Sequence, residues 1–108
     1  MISLKLALLA IALHFIGDFV LQSRWMGENK SKNWLALLAH VGVYTACLTP
    51  LGFRYALLNG GIHFVVDAAT SRVTSRMWEK KNVYGFFTVI GLDQMIHAMT
   101  LLSTLLIR

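Results

Sequence analysis

Thiol chemistry is nearly absent from this sequence, which has one cysteine, Cys47. A disulfide framework and a CxxC-type zinc module are both excluded on that count. Charge is scarce too, at 14% of 108 residues, where about a quarter is usual in soluble domains. Acidic charge is scarcest: five Asp and Glu stand against ten Lys and Arg, for a net charge of +5. No stretch alternates polar and apolar residues at length, which argues against strands. Apolar side chains fill the space, with 56% hydrophobic residues and a mean hydropathy of +0.61. That is too hydrophobic for a disordered chain, and the length allows one domain.

The charges cluster, leaving four apolar spans at about 2–22, 34–53, 55–74 and 84–107. Each is near the ~20 residues a helix needs to cross a bilayer. None offers water the charged face that helices of a soluble bundle carry. Pro50 and Gly52 end the second span with stop signals. Lys5 and the apolar run after it imitate a secretory signal, but His14 and Asp18 interrupt the run and no A-x-A site follows. The expectation is an all-α integral membrane four-helix bundle, a single transmembrane domain over residues 1–108.

Positive charge sets the orientation. Arg24, Lys30, Lys32, Arg72, Arg76, Lys80 and Lys81 gather at two connections, against Lys5, Arg54 and Arg108 on the other side. Both basic loops then face the cytoplasm and both termini the non-cytoplasmic side of a bacterial inner membrane. Trp25, Trp34, Trp78 and Tyr84 flank those loops, as interfacial aromatic residues do. The pI of about 9.8 thus reports topology and membrane lipids as partners, and no nucleic acid is expected.

All four histidines and all three aspartates fall inside the spans. A charged Asp at the centre of a membrane helix costs roughly 2.5–3.5 kcal/mol, so three cost on the order of 7–10 kcal/mol unless something offsets them. The pairs His14/Asp18, His63/Asp67 and Asp93/His97 are each four apart, so each shares one helix face. The third pair is reversed, and its helix runs the opposite way. All three aspartates therefore lie nearer the cytoplasm than the histidines, and His40 falls at the depth of the imidazoles. Polar helix glue and a proton relay are weaker readings of the same residues.

His14, Asp18, His40, His63, Asp67, Asp93 and His97 accordingly form the expected ligand set. Helical bundles build such centres from carboxylate and histidine ligands on facing helices. Mixed N and O donors without thiolate suit Zn, Mn or Fe, as one or two divalent ions. Gln22, Tyr44, Asn59, Ser71 and Gln94 are positioned to support the ligands. Asp18 or Asp93 is the candidate general base. Arg24, Lys30, Arg72 and Arg76 are placed at the mouth, where they would hold an anionic head group. Gly17, Gly42, Gly60, Gly61 and Gly91 are read as close-packing positions.

The runs His14-Phe15-Ile16-Gly17-Asp18-Phe19-Val20-Leu21-Gln22, Trp25-Met26, Glu28-Asn29-Lys30, His63-Phe64-Val65-Val66-Asp67 and Asp93-Gln94-Met95-Ile96-His97 resemble the domain of unknown function 3307. The resemblance spans nearly the whole chain. It implies a small membrane protein of phage or bacterial origin and no particular reaction. The style of ligands, though not the alignable sequence, is similar to inner-membrane metal-dependent hydrolases. The leading expectation is a metal-dependent hydrolase acting on a phosphoester or lipid head-group at the cytoplasmic face. The alternatives are a metal-ion transporter or channel, which at this size needs a homo-oligomer, and a non-enzymatic phage membrane interaction protein. A b-type haem site fits poorly beside three aspartates.

Overall fold

A computed structural model of the chain describes residues 3–108; Met1 and Ile2, where the first span opens, lie outside the described residues. No strand occurs among those described. Helix α1 (Leu4–Phe15) starts where the Ser3 hydroxyl accepts the Leu6 N–H at 3.1 Å, an N-cap that satisfies an orphan donor. Its axis continues through a π-turn, Ile16–Val20. A short helix α2 (Arg24–Asn29) lies in the first basic connection, capped by Ser23. Helix α3 (Trp34–Leu48), capped by Asn33, ends in a 3-10 turn at Thr49–Leu51 that contains Pro50. Gly52 turns the chain at φ +117, which side-chain-bearing residues rarely adopt. Helix α4 (Phe53–Glu79) and helix α5 (Val83–Thr104) follow, α5 closing in a 3-10 turn at Leu105–Ile107.

Two segments are long and apolar enough to cross a membrane: Trp34–Leu51 and Val83–Ile107, with mean hydropathies of 1.5 and 1.4. The other two expected spans fall short for different reasons. The α-helical part of the first stops at Phe15. Helix α4 carries Arg54, His63, Asp67, Arg72, Arg76 and Glu79 along its length. It also runs five residues past the expected end at Thr74, because hydropathy marks an apolar environment, not the end of the hydrogen-bond ladder. At 27 residues it is about 40 Å long, close to the molecule's long dimension of 44 Å.

The interior has two halves. Away from the basic connections, Ala10, Tyr44, Leu48, Leu51, Tyr55, Ala56, Leu101 and Leu105 form an apolar core. There Tyr55 donates to the Leu101 carbonyl at 2.8 Å and Asn59 donates to Thr104 Oγ1 at 2.9 Å, joining α4 to α5. Toward the basic end His14, Asp18, His40, His63, Asp67, Ser71, Asp93 and His97 are buried beside Ala36, Leu37 and Val41. Leu4, Leu8, Leu57, Val65, Met95, Met99 and Leu106 are meanwhile exposed. Polar inside and apolar outside inverts the usual soluble arrangement.

Two glycines set helix approach. A side chain at Gly17 would press on Tyr44 and Cys47, and a Cβ at Gly60 would overlap the Thr45 hydroxyl. Gly42, Gly61 and Gly91 have open space around them, so close packing does not explain those three. Gly60→Ala should destabilise the bundle by about 1–3 kcal/mol through overpacking. Adding Thr45→Ala should recover most of the loss, as read by denaturant or thermal unfolding of the two variants.

Candidate metal centre

All seven sequence-predicted His and Asp residues are buried, none more than 7% exposed. The π-turn is what brings Asp18 inward. Leu21 N–H bonds to the Ile16 carbonyl at 2.9 Å, five residues back, and such wide turns recur at functional sites. Gly17 lets this turn lie against α3.

His40 Nε2 lies 3.0 Å from Asp18 Oδ1 and 3.0 Å from His63 Nε2, itself 3.3 Å from the same Asp18 oxygen. Hydrogen bonds satisfy this triangle poorly. Each imidazole nitrogen presents one proton or one lone pair, and an ionised carboxylate oxygen presents only lone pairs. With two protons, both nitrogens donate to Asp18 and the two N–H groups crowd each other across the N–N side. With one proton, two lone pairs face each other on another side. A cation at the centre satisfies all three atoms together. Metal–ligand bonds of about 2.0–2.1 Å set neighbouring donors roughly 3.0–3.4 Å apart, which matches the sides. Asp67 Oδ2, 3.4 Å from His40 Nε2 and 4.0 Å from His63 Nε2, stands where a fourth ligand would. Lys30 Nζ sits 3.1 Å from that oxygen.

A second cluster joins Asp18, Asp93 and His97, whose donor atoms lie within 4.8 Å of one another. His97 Nε2 is 3.3 Å from Asp93 Oδ1 and 3.0 Å from His63 Nδ1. Asp18 is thus common to both groups, as a carboxylate bridging two ions would be.

Gln94 supports both groups. Its amide donates to Asp18 Oδ2 at 3.0 Å and Asp93 Oδ2 at 3.1 Å, while its carbonyl meets His14 Nε2 at 2.9 Å. His14 Nε2 must therefore carry the proton, and Nδ1 accepts from the Tyr44 hydroxyl at 3.0 Å. With both nitrogens engaged, His14 positions Gln94 and stands outside the two clusters. Tyr44 also stacks on the His63 ring, centroids 4.1 Å apart. Gln94→Leu should weaken metal binding about 10–100-fold, the usual effect of losing such a partner, measurable by competition with a calibrated chelator.

The remaining expected residues divide. Gln22 accepts from Lys30 Nζ at 3.2 Å, and Ser71 is buried with its hydroxyl unpartnered among the described residues. Asn59 lies in the α4–α5 joint, bonded to the Tyr55 carbonyl and Thr104. Thr70, which sequence reasoning missed, donates to Asp93 Oδ1 at 2.6 Å. Its signal was visible in the hydroxyl run Thr70, Ser71, Thr74 and Ser75.

A cavity of about 810 Å³ opens at the basic end and reaches Asp18, Asp67 and Asp93, but no histidine. The carboxylates thus lie nearer its mouth and the imidazoles deeper, as the reversed spacing of the third pair implied. Lys30 lines it, as does Lys32, but Arg24, Arg72 and Arg76 do not. Arg24 pairs with Glu28 at 2.8 Å on the exposed face of α2. Arg72 lies 4.2 Å over the Trp34 ring and donates to the Ala68 carbonyl. Of the four residues expected at the mouth, Lys30 alone is there, reaching inward because Asp67 attracts it.

No curated protein and no solved structure is significantly similar to the chain. Its residues 5–107 match the family described as Protein of unknown function, DUF3307, and the chain belongs to that family.

Proposed function

We propose that this protein is a four-helix integral membrane protein of the bacterial inner membrane, with both termini on the non-cytoplasmic side. In it one or two divalent ions, Zn, Mn or Fe, hydrolyse a phosphoester or lipid head-group at the cytoplasmic face. The exposed apolar surface, the two membrane-length segments and the basic connections support the location. The observation that supports the chemistry is the Asp18–His40–His63 triangle, whose donor atoms are spaced to hold a cation, at the foot of a cavity open from outside.

A bound metal would lower the pKa of its water toward 7 and supply hydroxide. With one ion in the triangle, Asp93, paired with His97 and held by Thr70, is free to accept the water proton. It returns that proton to the leaving oxygen once the phosphorus–oxygen bond breaks. If two ions were held, Asp18 would be the residue common to both groups of ligands. Lys30 and Lys32 lie where the phosphoryl oxygens would enter.

The apolar core around Tyr44, Leu48, Tyr55 and Leu101 lies beyond the site, and the cavity that reaches the carboxylates opens at the basic end. That favours hydrolysis over the carrier reading. The test is phosphate release by purified, metal-loaded protein from soluble phosphoesters and from anionic lipids in micelles. Turnover should require metal and fall at least about 100-fold in Asp93→Asn, the lower end for a lost general base. Metal flux into proteoliposomes without any hydrolysis would replace this reading with the carrier.

A further inference from the structure

The cavity above the carboxylates has two chemically different walls. On α4, Thr70, Ser71, Thr74 and Ser75 line one wall, Thr70 donating to Asp93 Oδ1, Thr74 to the Ser71 carbonyl and Ser75 accepting from Ser31, and Lys30 lines the same cavity. Facing them, Phe86, Phe87 and Ile90 of α5 and Phe19 of the π-turn form an apolar side. The rim on that side is open. Phe19 is 46% exposed and Phe87 61%, and Trp78, 60% exposed, closes the top against Phe86 at 5.0 Å between centroids. A pocket for a wholly water-soluble phosphoester has no use for an aromatic rim, and large exposed apolar patches mark contact with something apolar. The volume, about 810 Å³, holds a head group and the first part of a chain.

Charge decides what the polar wall accepts. The cavity's own ionisable groups are Asp18, Glu28, Asp67 and Asp93 against Lys30 and Lys32, an excess of two negative charges that repels anions. Two divalent ions reverse that sign and leave hydroxyls and lysines to hold phosphoryl oxygens.

We infer that the cavity is a lateral binding site for a membrane lipid whose head group is a terminal phosphate monoester, as in phosphatidic acid. The lipid enters from the leaflet between the π-turn and α5, its phosphate on the hydroxyl wall and its chain along Phe19, Phe86, Phe87 and Ile90. This rests on the metal reading proposed above, since the metal-free cavity is negative.

Trp78 reports on the cavity, while Trp25 and Trp34 are absent from its lining. Two single-tryptophan proteins, one keeping Trp78 (W25F, W34F) and one keeping Trp25 (W34F, W78F), are placed in nanodiscs. Each disc carries brominated phosphatidic acid or brominated phosphatidylcholine at equal mole fraction. In the metal-loaded protein, Trp78 should be quenched severalfold more by the brominated phosphatidic acid, and Trp25 equally by both lipids. Thr74→Leu in the Trp78 protein should abolish the preference while leaving metal content unchanged. Equal quenching of Trp78 by both lipids in protein shown to hold metal overturns the lipid site and leaves the metal reading standing. Loss of the preference to excess inorganic phosphate supports a site that recognises the head group. Phosphate binding without any lipid preference overturns the lipid in favour of a soluble ester. Protein that takes up no metal at all defeats the metal reading itself, and this inference with it.

Discussion

Asp18→Asn should empty the site of metal entirely, whereas Asp67→Asn and Asp93→Asn should each leave part of it. The reason is position. Asp18 contributes to both clusters, one oxygen facing His40 and His63 and the carboxylate reaching toward Asp93 and His97. An amide oxygen is a weak ligand and brings no charge, so neither cluster retains an anionic bridge after the change. Asp67, by contrast, touches only the first cluster and is already neutralised by Lys30. Asparagine keeps the shape of the side chain, but its amide nitrogen takes the place of an oxygen that accepts from Gln94 or faces His40 and His63. Elemental analysis of the three variants, each checked for intact helix content, reads the difference directly. Equal loss in all three would show that Asp18 has no special standing.

The second large effect is thermal. Asp18, Asp67 and Asp93 are buried within one small region, with Lys30 the only Lys or Arg ion-paired to any of them among the described residues. Ions that bind the folded chain and not the unfolded one stabilise it by mass action, about 4.1 kcal/mol at a thousand times the dissociation constant. For a chain of this size that should raise the unfolding midpoint by more than about 10 °C. A chelator should remove the gain and re-addition restore it, followed by the change in helical circular dichroism on heating. In Asp18→Asn the chelator should do nothing. A midpoint indifferent to chelator in the unmodified protein would mean that no ion contributes to the fold.

The convergence of the histidines and aspartates was legible in the sequence because the pattern was redundant. Three pairs at spacing four, one of them reversed on an antiparallel helix, specify a common depth, and His40 fits the same depth from a fourth helix. Local helix geometry and topology sufficed for that. The π-turn was not legible, because Gly17 and Asp18 weaken helix propensity without specifying which kind of turn takes its place. It exists because Asp18 gains partners on α3 and α5 by turning inward. The distinction between His14 and the other histidines was hidden for the same reason. It rests on which atoms Tyr44 and Gln94 bring to the ring from other helices.

Charge was legible as a total and misleading residue by residue. Arg24, Arg72 and Arg76 were grouped with Lys30 by nearness to the same loops. The i,i+4 spacing of Arg24 and Glu28 pointed to their pair, but spacing says nothing about a side chain's preference for Trp34 or a buried carboxylate. The extension of α4 to Glu79 and the short helix α2 were hidden because both lie beyond the apolar runs that made the spans visible. Cap residues such as Ser23 and Asn82 were the available signal for the helices they start.

The measurement nearest the centre of this account is the metal content of detergent-purified protein, taken with X-ray absorption at the metal edge. The account predicts at least one divalent ion per chain, a first shell of nitrogen and oxygen without sulfur, and loss of the ion in Asp18→Asn. Folded protein that holds no divalent ion when offered Zn, Mn or Fe would contradict it.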